Sequence, residues 1–186
     1  MAPNKHAVMI CGFARAGKDT FAKGIMSGAV NHTFRTAFAS SLKDALRLAA
    51  QDLEVDVDYR REEEKLQDRD LLVEFGRAMR RRDKDIFARS VARYLGTLWE
   101  NHNCLITDWR YLNEYLVVKE ACDRLAINLH TVRIVRHGWR AANDEEAMSL
   151  QEIMEAVPFD ETIYATSGDE EGVLLHGYRI AKLWHL

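Results

Sequence analysis

Along this chain, short continuous apolar runs alternate with segments whose apolar residues recur every three or four positions, and that alternation predicts strands interleaved with helices. The first run, Ala7-Val8-Met9-Ile10-Cys11, is apolar throughout, as a strand covered on both faces requires. Thr33 to Phe38 reads as a second strand, after which Leu42, Ala45, Leu46, Ala49 and Leu53 form a helical stripe with Ser40 or Ser41 suited to cap it. Leu72, Phe75 and Met79, then Phe87, Val91, Tyr94, Leu95 and Leu98, mark two more amphipathic helices that part near Arg82-Asp83-Lys84-Asp85. Cys104 to Asp108 and Thr131 to Arg136 predict further strands, and Thr162 to Ala165 a fifth ahead of a C-terminal helix. The whole pattern is that of an α/β fold, a mainly parallel sheet with helices on both faces.

Between Asp52 and Asp70 the pattern turns polar, and Arg60-Arg61-Glu62-Glu63-Glu64-Lys65 reads as a solvated helix face or connector with no chemistry. With two prolines, no repeat and no low-complexity tract, residues 1–186 are expected to form one domain. A 47% hydrophobic content at this length suffices for a core without disulfides or metals. The net charge of −3 offers no global attraction to nucleic acid, so anion affinity must come from local arginine clusters and favours small phosphorylated ligands. Cys11, Cys104 and Cys122 lack metal-type spacing, and the first two sit in apolar runs where reduced, buried thiols belong, which fits a reducing cytoplasm. The seven histidines show no metal-ligand spacing. No apolar stretch approaches the ~20 residues needed to cross a bilayer, and no basic-then-apolar leader precedes residue 6, so no membrane partner is expected.

The strongest chemical signal follows the first strand directly: Gly12-Phe13-Ala14-Arg15-Ala16-Gly17-Lys18-Asp19-Thr20. A glycine-framed loop leading from strand to helix directs backbone N–H groups at phosphate oxygens, and Lys18 has the reach to meet the β- and γ-phosphates of a nucleotide. The Ser/Thr that usually follows the lysine and ligates Mg²⁺ is replaced by Asp19, with Thr20 one position on; either oxygen is a candidate metal ligand.

Asp108 ends an apolar strand, a position from which a carboxylate reaches Mg²⁺, although such an aspartate equally caps a helix or opens a turn. Arg110 leaves the same sheet edge with a planar donor fork for phosphate; Asn113 suits a helix N-cap, and Glu114 suits the positive end of that helix. Other candidate cations are Arg15, the cluster from Arg77 to Arg82, Arg136 and Arg140. The middle cluster reads either as a solvated, acid-paired face or as a source of one or two functional arginines. Arg136-His137-Gly138-Trp139-Arg140, followed by Asn143-Asp144-Glu145-Glu146, suits a short closing lid over about 136–148, with Trp139 stacking on a base or packing under the lid.

Taken together, the loop with its GKDT ending, Phe38-Ala39-Ser40-Ser41-Leu42-Lys43 and Asp108-Trp109-Arg110-Tyr111-Leu112-Asn113-Glu114 resemble the bacteriophage-type deoxynucleoside monophosphate kinases. Weaker likeness runs through Phe75-Gly76-Arg77, Asp85-Ile86-Phe87, Val132 to Arg136 and Ser167-Gly168-Asp169. The resemblance implies a three-layer P-loop NTPase fold with five parallel strands, a helical substrate-binding section over about 40–100 and a mobile lid. It implies ATP as co-substrate with Mg²⁺, a deoxynucleoside monophosphate (dNMP) as acceptor, a homodimer, and the host cytoplasm as location if the gene is a phage's. Gly12 to Thr20 map onto the ATP loop, and Lys18, Asp108, Arg110 and Arg136 onto the catalytic set. Asp19, Thr20 and Asp108 map onto the metal site. Lys43 maps onto the lysine near the acceptor and Asp108 with Arg110 onto the aspartate–arginine motif, while the middle arginines map poorly; the candidate acceptor residues are Phe38, Lys43, Arg77, Arg110, Gly138 and Trp139, with Arg80, Arg81 and Arg82 as alternatives to Arg77.

Phosphoryl transfer needs positioning and charge neutralisation more than covalent help, and a phosphate acceptor with a second pKa near ~6 is already an anion, so no general base is expected. Three other readings share parts of the pattern: a P-loop kinase for a different small phosphate or alcohol, such as phosphomevalonate, a guanine-nucleotide switch, which lacks an NKxD-type element, and a nucleotide-binding structural or regulatory module without turnover.

Overall fold

A computed structural model describes residues 5–98 and 102–186, so the end of the helical section expected to reach residue 100 lies outside the described residues. Five strands, β1 (His6–Cys11), β2 (His32–Thr36), β3 (His102–Trp109), β4 (Asn128–Arg136) and β5 (Glu161–Ala165), form one sheet in the order β2-β3-β1-β4-β5, and every pairing is parallel. Among the described residues eight helices flank them: α1 (Lys18–Gly28), α2 (Phe38–Asp52), α3 (Glu62–Gln67), α4 (Arg69–Arg82), α5 (Ile86–Leu95), α6 (Leu112–Leu125), α7 (Asp144–Ala156) and α8 (Glu170–Leu183).

The central strand β1 is buried at every position, which is why its sequence carries no alternation. One face of the sheet is covered by α2, α5, α6 and α7 through Phe38, Leu42, Phe87, Val91, Val118 and Ile153. The other face is covered by α1 and α8, whose Phe21, Ile25, Val173 and Ile180 pack against Val8, Ile10 and Ile134. The result is the three-layer arrangement expected of such a sequence. Because all five strands run the same way, their C-terminal ends lie along one edge, where the loops opening α1, α2, α6 and α8 gather.

Several local expectations shift. Phe38 does not close β2 but opens α2, because the extended Ala37 turns the chain out of the sheet at Thr36. Neither Ser40 nor Ser41 caps α2; the cap position is Ala37, and the missing oxygen comes from Asp108 across the sheet. Leu53 lies just beyond the helix end and is exposed, not part of the core stripe. Asn113 sits inside α6, whose cap position is Tyr111. The Asn113 amide donates instead to the Lys84 carbonyl and the Asp85 carboxylate, both at 2.9 Å, tying α6 to the turn before α5. The acidic stretch after Arg61 forms the short, exposed helix α3. Cys11, Cys104 and Cys122 are free and buried, and burial pushes all three thiols up to about 12. Among the described residues, no helix is long and apolar enough to cross a membrane.

Candidate active site

The loop between β1 and α1 takes its shape from two backbone constraints. Gly12 (φ 142°) and Gly17 (φ 106°) occupy conformations closed to L side chains, and a Cβ on Gly12 would collide with the Ile134 carbonyl of β4. Inside this loop Lys18 folds back, its Nζ donating to the Gly12 and Phe13 carbonyls at 2.8 Å each. Burial, with the charge of Arg110 behind it, holds the Lys18 ammonium below the ordinary lysine range.

A cavity of about 220 Å³ opens over Arg15, Ala16, Gly17, Lys18, Asp19 and Thr20, closed on its far side by Arg136, by Ala165 and Thr166 at the end of β5, and by Asp169, Glu170 and Val173 at the start of α8. Phe13 packs against the core and Ala14 meets the lid segment; neither lines this cavity. Trp139 donates from its indole N–H to the Ala14 carbonyl at 2.8 Å, and Glu146 accepts from the Ala14 N–H at 3.0 Å. Arg136 completes this side by donating to the Arg15 carbonyl at 2.9 Å while its guanidinium lies over the Trp139 ring, 4.9 Å from the centroid. Gly138, at φ 74°, makes the turn that brings Trp139 back over the loop. Trp139 thus latches the loop edgewise through its nitrogen.

A second, larger cavity of about 550 Å³ lies under β2 and α2, lined by Arg35, Thr36, Ala37, Ser40, Ser41, Lys43, Asp44, Arg60, Ser90, Val91 and Tyr94. Of the residues expected at the acceptor, Lys43 lines this cavity; burial and the nearby Lys65 hold its pKa below the ordinary range. Phe38 is buried in the core beside it. The two cavities meet where Asp19 of the first forms an ion pair with Arg35 of the second.

Asp108 lines neither cavity; it accepts from the N–H groups of Phe38 at 2.7 Å and Ala39 at 3.0 Å at the start of α2. Beyond it, Glu114 is almost wholly buried and accepts from the backbone N–H of Arg110 (2.9 Å) and Tyr111 (3.1 Å). Burial, with the Asp108 charge, pushes its carboxyl up to about 8, against the pull of those two N–H groups and of Arg80.

The middle arginines separate by geometry. Arg77 is on the surface, paired with Glu74 (2.8 Å) and Glu145 (3.3 Å). Arg81 and Arg82 are exposed. Arg80 alone turns inward, its guanidinium 4.8 Å from the centroids of both Phe87 and Tyr111 and 3.7 Å from Glu114. Tyr111 in turn donates to Glu145 at 2.6 Å.

Residues that sequence reasoning gave no site role therefore include Arg35, Arg60 and Tyr94 of the second cavity and Thr166 and Glu170 of the first. Arg35 had a visible signal as the one ionised side chain in the strand His-Thr-Phe-Arg-Thr. Arg60, by contrast, is hidden in a charge run whose composition says only that it is solvated.

Strand, glycine loop and helix, set in a parallel sheet with covered faces, define the three-layer α/β fold of the P-loop NTPases. No family model matches the chain, and no curated protein matches it. Solved structures similar to it include a sugar kinase from Janibacter sp. HTCC2649 (14% identity, covering 98% of this chain and 94% of that one, TM-score 0.45). Others are a gluconokinase from Sinorhizobium meliloti 1021 (9%, covering 96% and 94%, TM-score 0.45) and the APS kinase CysC of Mycobacterium tuberculosis in complex with AMPPNP and APS (12%, covering 92% and 94%, TM-score 0.47).

Proposed function

We propose that this chain is an ATP-dependent kinase that moves the γ-phosphoryl group of ATP onto a deoxynucleoside monophosphate, giving the diphosphate and ADP. The observation that carries this reading is the pair of cavities on one sheet edge, a glycine loop with Lys18 in one and the cations Arg35, Lys43 and Arg60 in the other, touching at Asp19 and Arg35. A binding module needs one phosphate pocket; a phosphotransferase needs two that meet.

In this mechanism the triphosphate lies along Gly12 to Thr20, and Lys18 exchanges the Gly12 and Phe13 carbonyls for phosphate oxygens. Asp19 and Thr20, hard oxygen donors on the lip of the same cavity, suit Mg²⁺, with Asp108 oriented behind them by its two N–H contacts. When bound, the ion supplies charge neutralisation across the β- and γ-phosphates. Lys43 and the inward Arg80 hold the acceptor, and Arg110 and Arg136 approach the transferring group from opposite sides of the loop. An oxygen of the acceptor phosphate attacks the γ-phosphorus, the bond to the β–γ bridging oxygen breaks, and ADP leaves with that electron pair. The segment carrying Gly138 and Trp139 covers the loop and keeps water from taking the acceptor's place.

A coupled ADP-release assay with ATP and Mg²⁺ over all common dNMPs and NMPs, with other phosphorylated metabolites alongside, tests the reading. Turnover with a dNMP well above the ATPase background supports it; turnover only with a different metabolite, or none at all, rejects it.

A further inference from the structure

Arg35 is the residue through which the two cavities touch, and nothing in the reading above yet assigns it a role. It stands near the C-terminal end of β2, paired in register with Leu105 of β3, and its side chain reaches Thr107 two residues further along β3. Its Nε donates to the Thr107 hydroxyl at 3.1 Å, and that hydroxyl belongs to a buried strand residue. Its Nη2 pairs with Asp19 in the first turn of α1. Two fixed partners on two different elements hold the guanidinium plane, yet its fork has more N–H donors than these partners use, and the side chain remains about half exposed toward the second cavity.

The charges around that cavity narrow what the free donors are for. Arg60 is neutralised there by Asp44 at 2.6 Å, a carboxylate lining the same cavity. The partner of Arg35 lies in the other cavity, and among the described residues Lys43 has no ion-pair partner within 4 Å. The end of the cavity nearest the nucleotide loop is therefore a two-cation corner, Arg35 with Lys43, flanked by the hydroxyls of Ser40 and Ser41. A planar fork with spare donors beside an ammonium and hydroxyls matches a doubly charged phosphomonoester; a neutral sugar hydroxyl would leave the Lys43 ammonium without a counter-charge.

We propose that Arg35 binds the phosphate of the acceptor, held ready by Asp19 and Thr107, and that it thereby selects a phosphorylated acceptor over an alcohol. This rests on the kinase reading for the identity of the acceptor and deepens it at one residue. Asp19 acts as a positioning residue for Arg35.

The test compares Arg35→Gln and Arg35→Lys with the wild-type chain. Arg35→Gln is expected to raise KM for the dNMP by about tenfold or more while KM for ATP stays within about twofold, and Arg35→Lys, which keeps the charge but loses the fork, is expected to recover part of the loss. An acceptor KM within about twofold of wild type in Arg35→Gln, or a fall in kcat with KM unmoved, overturns the proposal. Should Arg35→Gln fail to fold by circular dichroism, Arg35→Lys carries the same comparison. If the wild-type chain turns over no dNMP, the kinase reading fails by itself, and Arg35 is read with inorganic phosphate by ³¹P NMR. Saturable broadening in the wild type that is lost in the variant upholds the anchor; equal broadening in both, or none in the wild type, overturns it.

Discussion

Asp108, the last residue but one of β3, accepts the backbone N–H of Phe38 at 2.7 Å and so begins α2 from a neighbouring strand. Its second oxygen takes the Ala39 N–H at 3.0 Å, which makes the carboxylate a helix cap supplied from a neighbouring strand. A capping carboxylate also meets the positive end of the α2 dipole, so its charge is favoured where a metal or phosphate chemistry needs it. Asp108→Ala is expected to cost about 0.5–2 kcal/mol of stability by urea unfolding, as lost caps do, and in addition to reduce ADP formation far beyond what that loss explains. Asp108→Asn keeps one acceptor and is expected to recover most of the stability and little of the activity.

Lys18→Ala and Arg110→Ala test the charge centre itself. Lys18 bonds only to backbone carbonyls of its own loop, and Arg110 is an exposed residue, so neither removal opens the core. Both variants are expected to fold with near wild-type melting curves and to lose about a hundredfold or more in kcat, the scale of losing one preorganised charge at a developing oxyanion. Unchanged ADP formation in both would remove the loop from the chemistry.

The contact of Glu146 with the Ala14 N–H places a carboxylate on the backbone of the phosphate loop. It accepts from the Ala142 N–H as well, at 2.7 Å, and Asn143 caps α7 through the Glu146 N–H at 2.9 Å, so the start of α7 is pinned against the loop. A triphosphate settling there adds negative charge beside that carboxylate, which favours release of the latch. Glu146→Gln is accordingly expected to tighten ATP binding by about three- to tenfold in calorimetry, whereas Trp139→Phe, which keeps the ring and loses the bond to the Ala14 carbonyl, is expected to raise background ATP hydrolysis.

What was legible in the sequence follows from how local each signal is. β1 and its loop are readable because burial on both faces and the two glycines are written in consecutive residues. The five strands and the helix stripes are readable for the same reason. The α2 cap was not, because its oxygen comes from Asp108, 70 positions away from Phe38. Nor was the sorting of the middle arginines: Arg77 and Arg80 lie one turn apart on α4, and only the packing of Phe87 and Tyr111 decides that Arg80 turns inward. The Trp139 bond to the Ala14 carbonyl was not legible either, since composition says that an indole will find a partner without saying that a loop carbonyl will be it.

Glu114 gives a pH dependence whose sign is fixed. Its carboxyl sits at about 8 in the folded chain against an ordinary value near 4.5, raised by burial and by Asp108, so the native state holds a proton that the unfolded state has released. Stability contributed by this group is present below about 4.5 and is lost as pH rises toward 8, with a slope of up to about 1.4 kcal/mol per pH unit. The proton also governs a neighbour. While Glu114 is neutral, Arg80, 3.7 Å away, keeps its charge for an incoming phosphate; once Glu114 ionises, the pair closes. Glu114→Gln keeps a carbonyl for the Arg110 and Tyr111 N–H groups and removes the titration. Urea unfolding across pH 5 to 9 is expected to show the wild-type decline flattened in this variant, and the acceptor KM, rising above about pH 8 in the wild type, is expected to stay level in Glu114→Gln. Parallel pH profiles in the two chains would show that the carboxyl is ionised throughout and that Arg80 is not gated by it.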